Sequence, residues 1–332
     1  MNTFPNEVID IVGIGASTLD RFIVVDHFPT GREVQQAISS TIDGGGPVAT
    51  ALATAGKYGS RTVMIDRIGD DMVGRYILED FQKYNVNTEG IQVDADAKSG
   101  TATILVKEKT GERAVFFERS TAPEPEFLSD YQGLIENASI VHINGRHRHL
   151  MRTAIDIARQ SGTIISLDGG AQRYDEDMKP ITESSHVVIV ARDYAEKYTG
   201  TTNLEEACRI IHDRGALIAG VTDGANGSYF VWPDGTAYRC QPFPQDHVVD
   251  TTGAGDSFHG AFLSKLAVSI RQENTLYGEF IKPIDILQSL DHKQLESAAI
   301  FASAVSALNT QGIGGRSALP SLKSACNLAG LE

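Results

Sequence analysis

Short apolar runs ending in glycine or an acid alternate along this chain with longer stretches whose apolar residues recur every three or four positions. "VIDIVGIG" (Val8 to Gly15), "SIVHING", "TIISLD", "HVVIV" and "ALIAGV" are of the first kind, continuous enough for strands buried on both faces. Between them, "GGGPVATALATAGKYG" predicts a helix that enters at Pro47 and stops at Gly59. "DDMVGRYILEDFQKY" predicts another, capped by Asp70, with Val73, Ile77, Phe81 and Tyr84 on one face. Further helices are expected at about Leu150 to Gln160, Leu204 to Arg214, Ser257 to Ile270 and Lys293 to Leu308. This order implies a doubly wound, mostly parallel α/β sheet with helices on both faces.

Two places break the alternation. "TATILVKE" and "RAVFFE" flank "KTGE" as in a hairpin, and together with Arg21 to Ser40 they are expected to form a small projecting β-sheet. "SYFVWPDGTAYRC" is a second hairpin, built around Pro233, Asp234 and Gly235. No repeat, linker or low-complexity tract is found, so one domain over residues 1–332 is expected, with a lid inserted at about 17–42 and 98–122.

Composition narrows the function classes. With 332 residues, 41% of them hydrophobic, the chain can bury a sizeable core. Its 29 basic against 43 acidic side chains, net charge -14, argue against a broad nucleic-acid or anionic-membrane surface, yet leave room for a small anion held by a few local groups. There is no basic leader at the start and no apolar run near the ~20 residues of a membrane span, so a cytoplasmic protein is expected. Cys208, Cys240 and Cys326 are odd in number and lack a CxxC pair, which suggests neither disulfides nor a zinc site.

Three glycine-rich loops could hold phosphate. "GIGAST" has Thr18 at the third glycine position of a dinucleotide fingerprint and no helix pattern behind it, so an NAD-dependent oxidoreductase rests on little. "AGKY" fails as a P-loop, with Ala51 for the first glycine and Tyr58 for the metal-ligating hydroxyl. "DTTGAGDSFHGAF" (Asp250 to Phe262) is the strongest, because the amides of Gly253, Ala254 and Gly255 at a helix N-terminus would face an oxyanion. Asp256 beside them is either a plain helix cap or a base for a hydroxyl proton.

That string resembles the C-terminal signature of the ribokinase-like (PfkB) family of carbohydrate kinases. Asp20 resembles the family's sugar-hydroxyl acid, "FPTGRE" the run entering the lid, and "DGGGPVATA" the N-terminal glycine signature, which puts Gly44, Gly45 and Gly46 at the substrate. "RIGDDMVGRYILEDFQKYNVNTEGI" resembles the stretch after it. "VTDGANGSYFV" resembles the strand and loop around ATP phosphates, so Thr222, Asp223, Gly224 and Gly227, with Thr252, are expected at the nucleotide. The resemblance implies Mg2+-ATP-dependent phosphorylation of a sugar hydroxyl, with Asp256 as base and Gly253 to Gly255 as anion hole. Asp250 and "GIGGR" fall where many members bind a monovalent cation such as K+.

Two departures stand out. Ala49 replaces an Asn of the glycine signature, and "ARDY" (Ala191 to Tyr194) replaces Asn-x-x-Glu, which leaves the magnesium ligands unassigned. "GGGPVATA" and the late "GGR" look most like the sulfofructose kinase branch, implying a ketohexose with an anionic C6 group, phosphorylated at C1. The alternatives are fructose, ribose or fructose 6-phosphate as substrate, or a sugar- or nucleotide-binding protein without chemistry. An anionic tail needs a cationic clamp, for which Arg32, Arg113 and above all Arg146, placed after a strand end, are the candidates. His142, His147 and His149 lack a clear metal pattern, His259 reads as a helix residue near the site, and Phe230, Trp232 and Tyr238 read as packing. The apolar "TILV" and "AVFF" of the lid would suit a homodimer through the lids.

Overall fold

Parallel pairing dominates wherever the apolar runs are continuous. The computed structural model describes residues 9–277 and 281–331, so Val8, read as the start of the first strand, lies outside the described residues. In chain order the strands are β1 (Ile9–Ile14), β2 (Thr18–Val25), β3 (Ser39–Gly45), β4 (Thr62–Gly69), β5 (Val86–Asn87), β6 (Ile91–Asp94) and β7 (Gly100–Lys107). Then come β8 (Arg113–Glu118), β9 (Ala138–Ile143), β10 (Ile164–Gly169), β11 (Val187–Ala191), β12 (Ile218–Thr222), β13 (Ser228–Val231) and β14 (Ala237–Cys240). The large sheet runs β14-β13-β12-β11-β10-β9-β1-β4-β5, and β6 pairs a later stretch of β4. All its pairs from β12 to β5 are parallel, while β13 and β14 close one edge as an antiparallel hairpin. β1, β9 and β10 are buried along their whole length, which is why their sequences show no alternation.

Helices cover both faces. Pro47–Lys57, Ala254–Tyr277 and His292–Asn309 pack one apolar cluster around Leu52, Phe262 and Phe301, and Arg148–Ser161 and Leu204–Asp213 pack another around Ile155 and Ile211. Burying each such side chain contributes about 1.5–3 kcal/mol. Two helix starts differ from the sequence reading. Asp71, not Asp70, caps Met72–Lys83: it accepts from the Gly74 amide at 2.7 Å, while Asp70 stays exposed and pairs with Arg75. Asp71 also accepts from the Ser99 amide and hydroxyl, a tie to the start of β7 that no local pattern announces. The helix read from Ser257 begins at Ala254 and runs to Tyr277, so the glycine loop forms its first turn.

The second sheet has the order β3-β2-β7-β8. Only β2 and β3 of the stretch read as Arg21 to Ser40 are strand, and residues 26–38 between them are loop. β2 pairs β7 in parallel across a long insertion, whereas β7 and β8 form the hairpin expected around "KTGE". Phe22, Ala102, Ile104 and Val106 face inward onto Ile313, while Val115 and Phe116 are exposed. Among the described residues no helix is long and apolar enough to cross a membrane.

Candidate active site

The parallel strands aim their C-terminal ends at the underside of the small sheet. In such sheets ligands sit beyond the carboxyl ends of the strands, where loops from neighbouring strands converge. Here Asp168 at the end of β10, Thr222 at the end of β12, Asp20 on β2 and Arg113 on β8 meet Thr252, Gly253, Asp256 and His259 around a cavity of about 410 Å³. A second cavity, also about 410 Å³, lies on the other side of the glycine turn and is walled by Gly224, Gly227, Phe243, Val248, Ala254 and Phe258. The two share Thr222, Thr251 and Gly255. One cavity is thus rich in charge and the other mainly apolar, and the helix N-terminus lies between them.

The turn itself is held tightly. Gly253 has φ 72°, and a Cβ there would lie 2.5 Å from the Gly315 Cα, so only glycine fits. The buried Asp250 accepts from the Thr252 amide (2.9 Å), the Thr252 hydroxyl (2.7 Å) and the Gly314 amide (3.1 Å), tying this loop to the later "GIGG" loop. One of the three expected anion-hole amides departs from the reading: Ala254 turns its N–H toward the Thr251 carbonyl at 3.3 Å. The amides without a partner among the described residues are those of Gly253, Gly255 and Asp256 itself.

Asp256 is half-buried at the cavity. Burial, and next the charge of Asp168, push its carboxyl from 3.8 up to about 6. Asp20 is also raised, because burial outweighs the hydrogen bond from the Thr18 hydroxyl. Gly45 lies against Asp20, where any Cβ would run into the carboxylate, and Gly44 lies equally close to Asp80 and Arg316. Gly46, at φ 94°, lies against the Ala16 carbonyl and leads into Pro47 at the first turn of its helix.

The arginines sort differently from the sequence reading. Arg32 is in the exposed 26–38 loop and does not line the cavity. Arg113 does line it, but its guanidinium donates to the Thr252 hydroxyl at 2.8 Å and lies 3.6 Å from Asp250, docking the small sheet onto the glycine turn. Arg146 follows β9, and burial and the neighbouring guanidiniums of Arg119 and Arg173 hold its own below the ordinary value. Arg173, on the turn after β10, reaches Asp168 at 3.5 Å and lines the cavity. Arg119, Arg173 and Asp168 were not singled out from the sequence. An acid and a base around the end of a buried strand, "SLDGGAQR", were the available signal for two of them.

The nucleotide-side residues also divide. Thr222, Gly224 and Gly227 wall the apolar cavity, whereas the Asp223 carboxylate is occupied on both oxygens by Arg192, at 2.6 Å from Nε to Oδ1 and through a second bond to Oδ2. Arg192 opens the "ARDY" replacement. His147 bonds Asp66 at 2.9 Å, and His142 is a buried strand residue beside Ser166. Phe230 and Trp232 are stacked 4.9 Å apart in the core, as packing.

A family model for "pfkB family carbohydrate kinase" matches residues 8–322. The chain belongs to this family of carbohydrate kinases. Among curated proteins, this kinase is 28% identical to "Probable fructokinase-5" of Arabidopsis thaliana over 90% of its own length and 92% of the relative's. Among solved structures, Arabidopsis thaliana ribokinase complexed with ribose and ATP superposes with a TM-score of 0.76 at 20% identity, covering 98% of this chain and 100% of that one. Fructokinase with bound ATP from Xylella fastidiosa gives 0.77 at 20%, covering 96% and 97%. These likenesses agree with the ribokinase-like α/β fold and its small separate sheet.

In this kinase the residue hardest to foresee is Arg316 of the late "GGR". It is 1% exposed and donates to Asp80 at 2.6 Å, to the Gly45 carbonyl at 2.7 Å and to the Thr50 hydroxyl at 3.2 Å, with its backbone amide on Asp43 at 2.9 Å. Its guanidinium also lies 5.2 Å from the centre of the Phe81 ring. Arg316 therefore holds the glycine-rich end of β3, where Gly45 lies against Asp20. Among the described residues no group of three metal-ligating side chains exists. Asp168 and Asp256 both line the charged cavity, and neither lines the apolar one.

Proposed function

We propose that this kinase transfers the γ-phosphoryl group of ATP, carried with Mg2+, to the C1 hydroxyl of a ketohexose bearing an anionic group at C6. The observation that carries the anionic part is Arg173, which lines the cavity with Asp20 and Asp256, together with its neighbour Arg146, which does not line it and also has Arg119 nearby. A sulfonate or phosphate matches the planar fork of a guanidinium, whereas a neutral sugar brings no charge to meet it.

The reaction follows from the positions. The sugar lies between Asp20 and the arginines, with its acceptor hydroxyl at Asp256. Asp256 takes the hydroxyl proton as the oxygen attacks phosphorus. The amides of Gly253, Gly255 and Asp256, at the positive end of a long helix, stabilise the charge on the transferred group. ATP enters from the apolar cavity, with Thr222, Gly224, Gly227 and Thr252 near its phosphates. The ATP bound in the two superposed kinases supports that half of the reading. Magnesium rides on the phosphates, and a monovalent cation such as K+ would sit on backbone carbonyls near Asp250, whose own carboxylate oxygens are already engaged. The whole chain acts as one kinase unit in the cytoplasm, with the lid inserted at about 17–42 and 98–122, and the exposed Val115, Phe116 and Phe117 support a homodimer through the lids.

The name of the fructokinase relative favours neutral fructose as the second reading. ADP release is measured with fructose, ribose, fructose 6-phosphate and 6-deoxy-6-sulfofructose, alongside Asp256→Asn. Turnover confined to an anionic ketose and reduced about 10²–10⁴-fold in the variant is expected. Turnover on fructose or ribose alone refutes the arginine clamp, and an active Asp256→Asn enzyme refutes the base.

A further inference from the structure

The "ARDY" segment carries two charged side chains that the reaction above does not use. It stands where β11 ends and the helix Arg192–Thr199 begins, and β11 lies between β10 and β12 in the sheet. The register sets Val190 level with Gly169 on one side and Ala191 level with Thr222 on the other. The loops that leave β10 and β12 therefore flank this helix start, and each receives one of the two charges.

Arg192 turns to the loop after β12. Its Nε donates to Asp223 Oδ1 at 2.6 Å and its Nη2 donates to Oδ2, a paired fork that fixes direction as well as distance. Asp223 closes the short turn Gly224–Asn226: its amide donates to the Gly227 carbonyl at 2.9 Å, and its Oδ2 accepts from the Asn226 side chain at 3.0 Å. Gly224, Ala225 and Gly227 wall the apolar cavity. Asp193 turns the other way and accepts from the Gln172 amide at 2.5 Å. Gln172 holds φ 61°, a left-handed conformation that needs an outside constraint in a residue with a side chain. It is the third residue of a turn closed from the Arg173 amide to the Gly170 carbonyl at 3.2 Å, and Gly170, Ala171 and Arg173 line the charged cavity.

The Arg192 side chain is 43% exposed and Asp193 is half-buried, so neither contact adds much to global stability. Their use is positional. We propose that Arg192 and Asp193 are positioning residues that form a two-armed bracket, one arm setting the loop at the nucleotide and the other setting the loop at the sugar. The assignment rests on the apolar cavity taking ATP and the charged one taking the sugar. A loop set correctly only about a tenth of the time weakens apparent binding about tenfold, so loss of one arm shows in the affinity for one substrate alone.

The test measures KM for ATP and for the sugar that the wild type turns over, and ADP affinity by titration calorimetry without sugar. Arg192→Met is expected to weaken both nucleotide readings about tenfold and to leave the sugar KM in place. Asp193→Ala is expected to raise the sugar KM about tenfold and to leave ADP affinity in place. Asp193→Asn keeps an acceptor for the Gln172 amide and is expected to hold the wild-type sugar KM. A merely structural role moves both substrates together, or lowers kcat and melting temperature alone, and either result overturns the proposal. Exchanged effects, with Arg192→Met acting on the sugar and Asp193→Ala on ADP, overturn it through the cavity assignment on which it rests, whereas unmoved affinities overturn the bracket alone. If no sugar is turned over, the ADP affinity of Arg192→Met decides, a weakened one supporting the bracket and an unmoved one overturning it. If one variant does not fold by circular dichroism the other decides, and misfolding of both overturns the proposal, because a bracket on two surface loops does not carry the fold.

Discussion

A carboxylate raised to about 6 is useful to a kinase and unfavourable for its fold. The folded state of Asp256 binds its proton more tightly than the unfolded chain does, so ionisation opposes folding. The resulting loss of stability is absent below about pH 4 and grows as pH rises through 6. Asp256→Asn, which carries no charge, is expected to melt at the wild-type temperature near pH 4 and above it at pH 7–8. Equal melting temperatures at both ends contradict that raised value. For the same reason wild-type turnover is expected to fall as pH drops below about 6, where the base becomes protonated. Asp256 was legible because its glycines and its helix surround it in the sequence. Asp168, His259 and Arg173 meet only across 168 to 259, and no spacing rule links them.

Hairpins announced by local turn signals were read correctly, and pairings between remote strands were not. The hairpins around "KTGE" and Pro233-Asp234-Gly235 carry their turns with them. The parallel pairing of β2 with β7 carries none, so the small sheet was seen without its central join. The cap moved from Asp70 to Asp71 because Ser99, far along the chain, also needed an acceptor. Two predictions belong here. Gly253→Ala forces a side chain into the left-handed region and against Gly315, displacing the amide row, and kcat is expected to fall about 10²–10³-fold together with a lower melting temperature. A wild-type rate would show that this turn does not serve the phosphoryl group. Arg316→Met takes the buried guanidinium from Asp80, leaving it only the more exposed Lys83 at 3.5 Å, and frees the strand of Gly44 and Gly45. Urea unfolding is expected to show a loss of about 3–5 kcal/mol, and a loss under 1 kcal/mol contradicts the buried network.

At the scale of the molecule, the small sheet meets the large one through a few contacts, notably Arg113 on Thr252, and leaves Val115, Phe116 and Phe117 on its outer side. If a second copy covers that side, Phe116→Asp is expected to convert a dimeric mass in light scattering to a monomeric one, and a monomeric wild type rejects the arrangement. Arg316 also has a consequence for how the protein is made. It serves Asp80 from 236 positions downstream and Asp43 from 273. At about 5–20 residues per second, a ribosome needs roughly 10–50 s to deliver it after Asp80 has emerged. During that interval Asp80 has Lys83 at hand but lacks the Arg316 guanidinium, and Asp43 lacks the Arg316 and Ser317 amides. A chain that stops short of Arg316 is expected to have no anchor for the strand of Gly44 and Gly45 and to be cleaved faster by proteases than the full one.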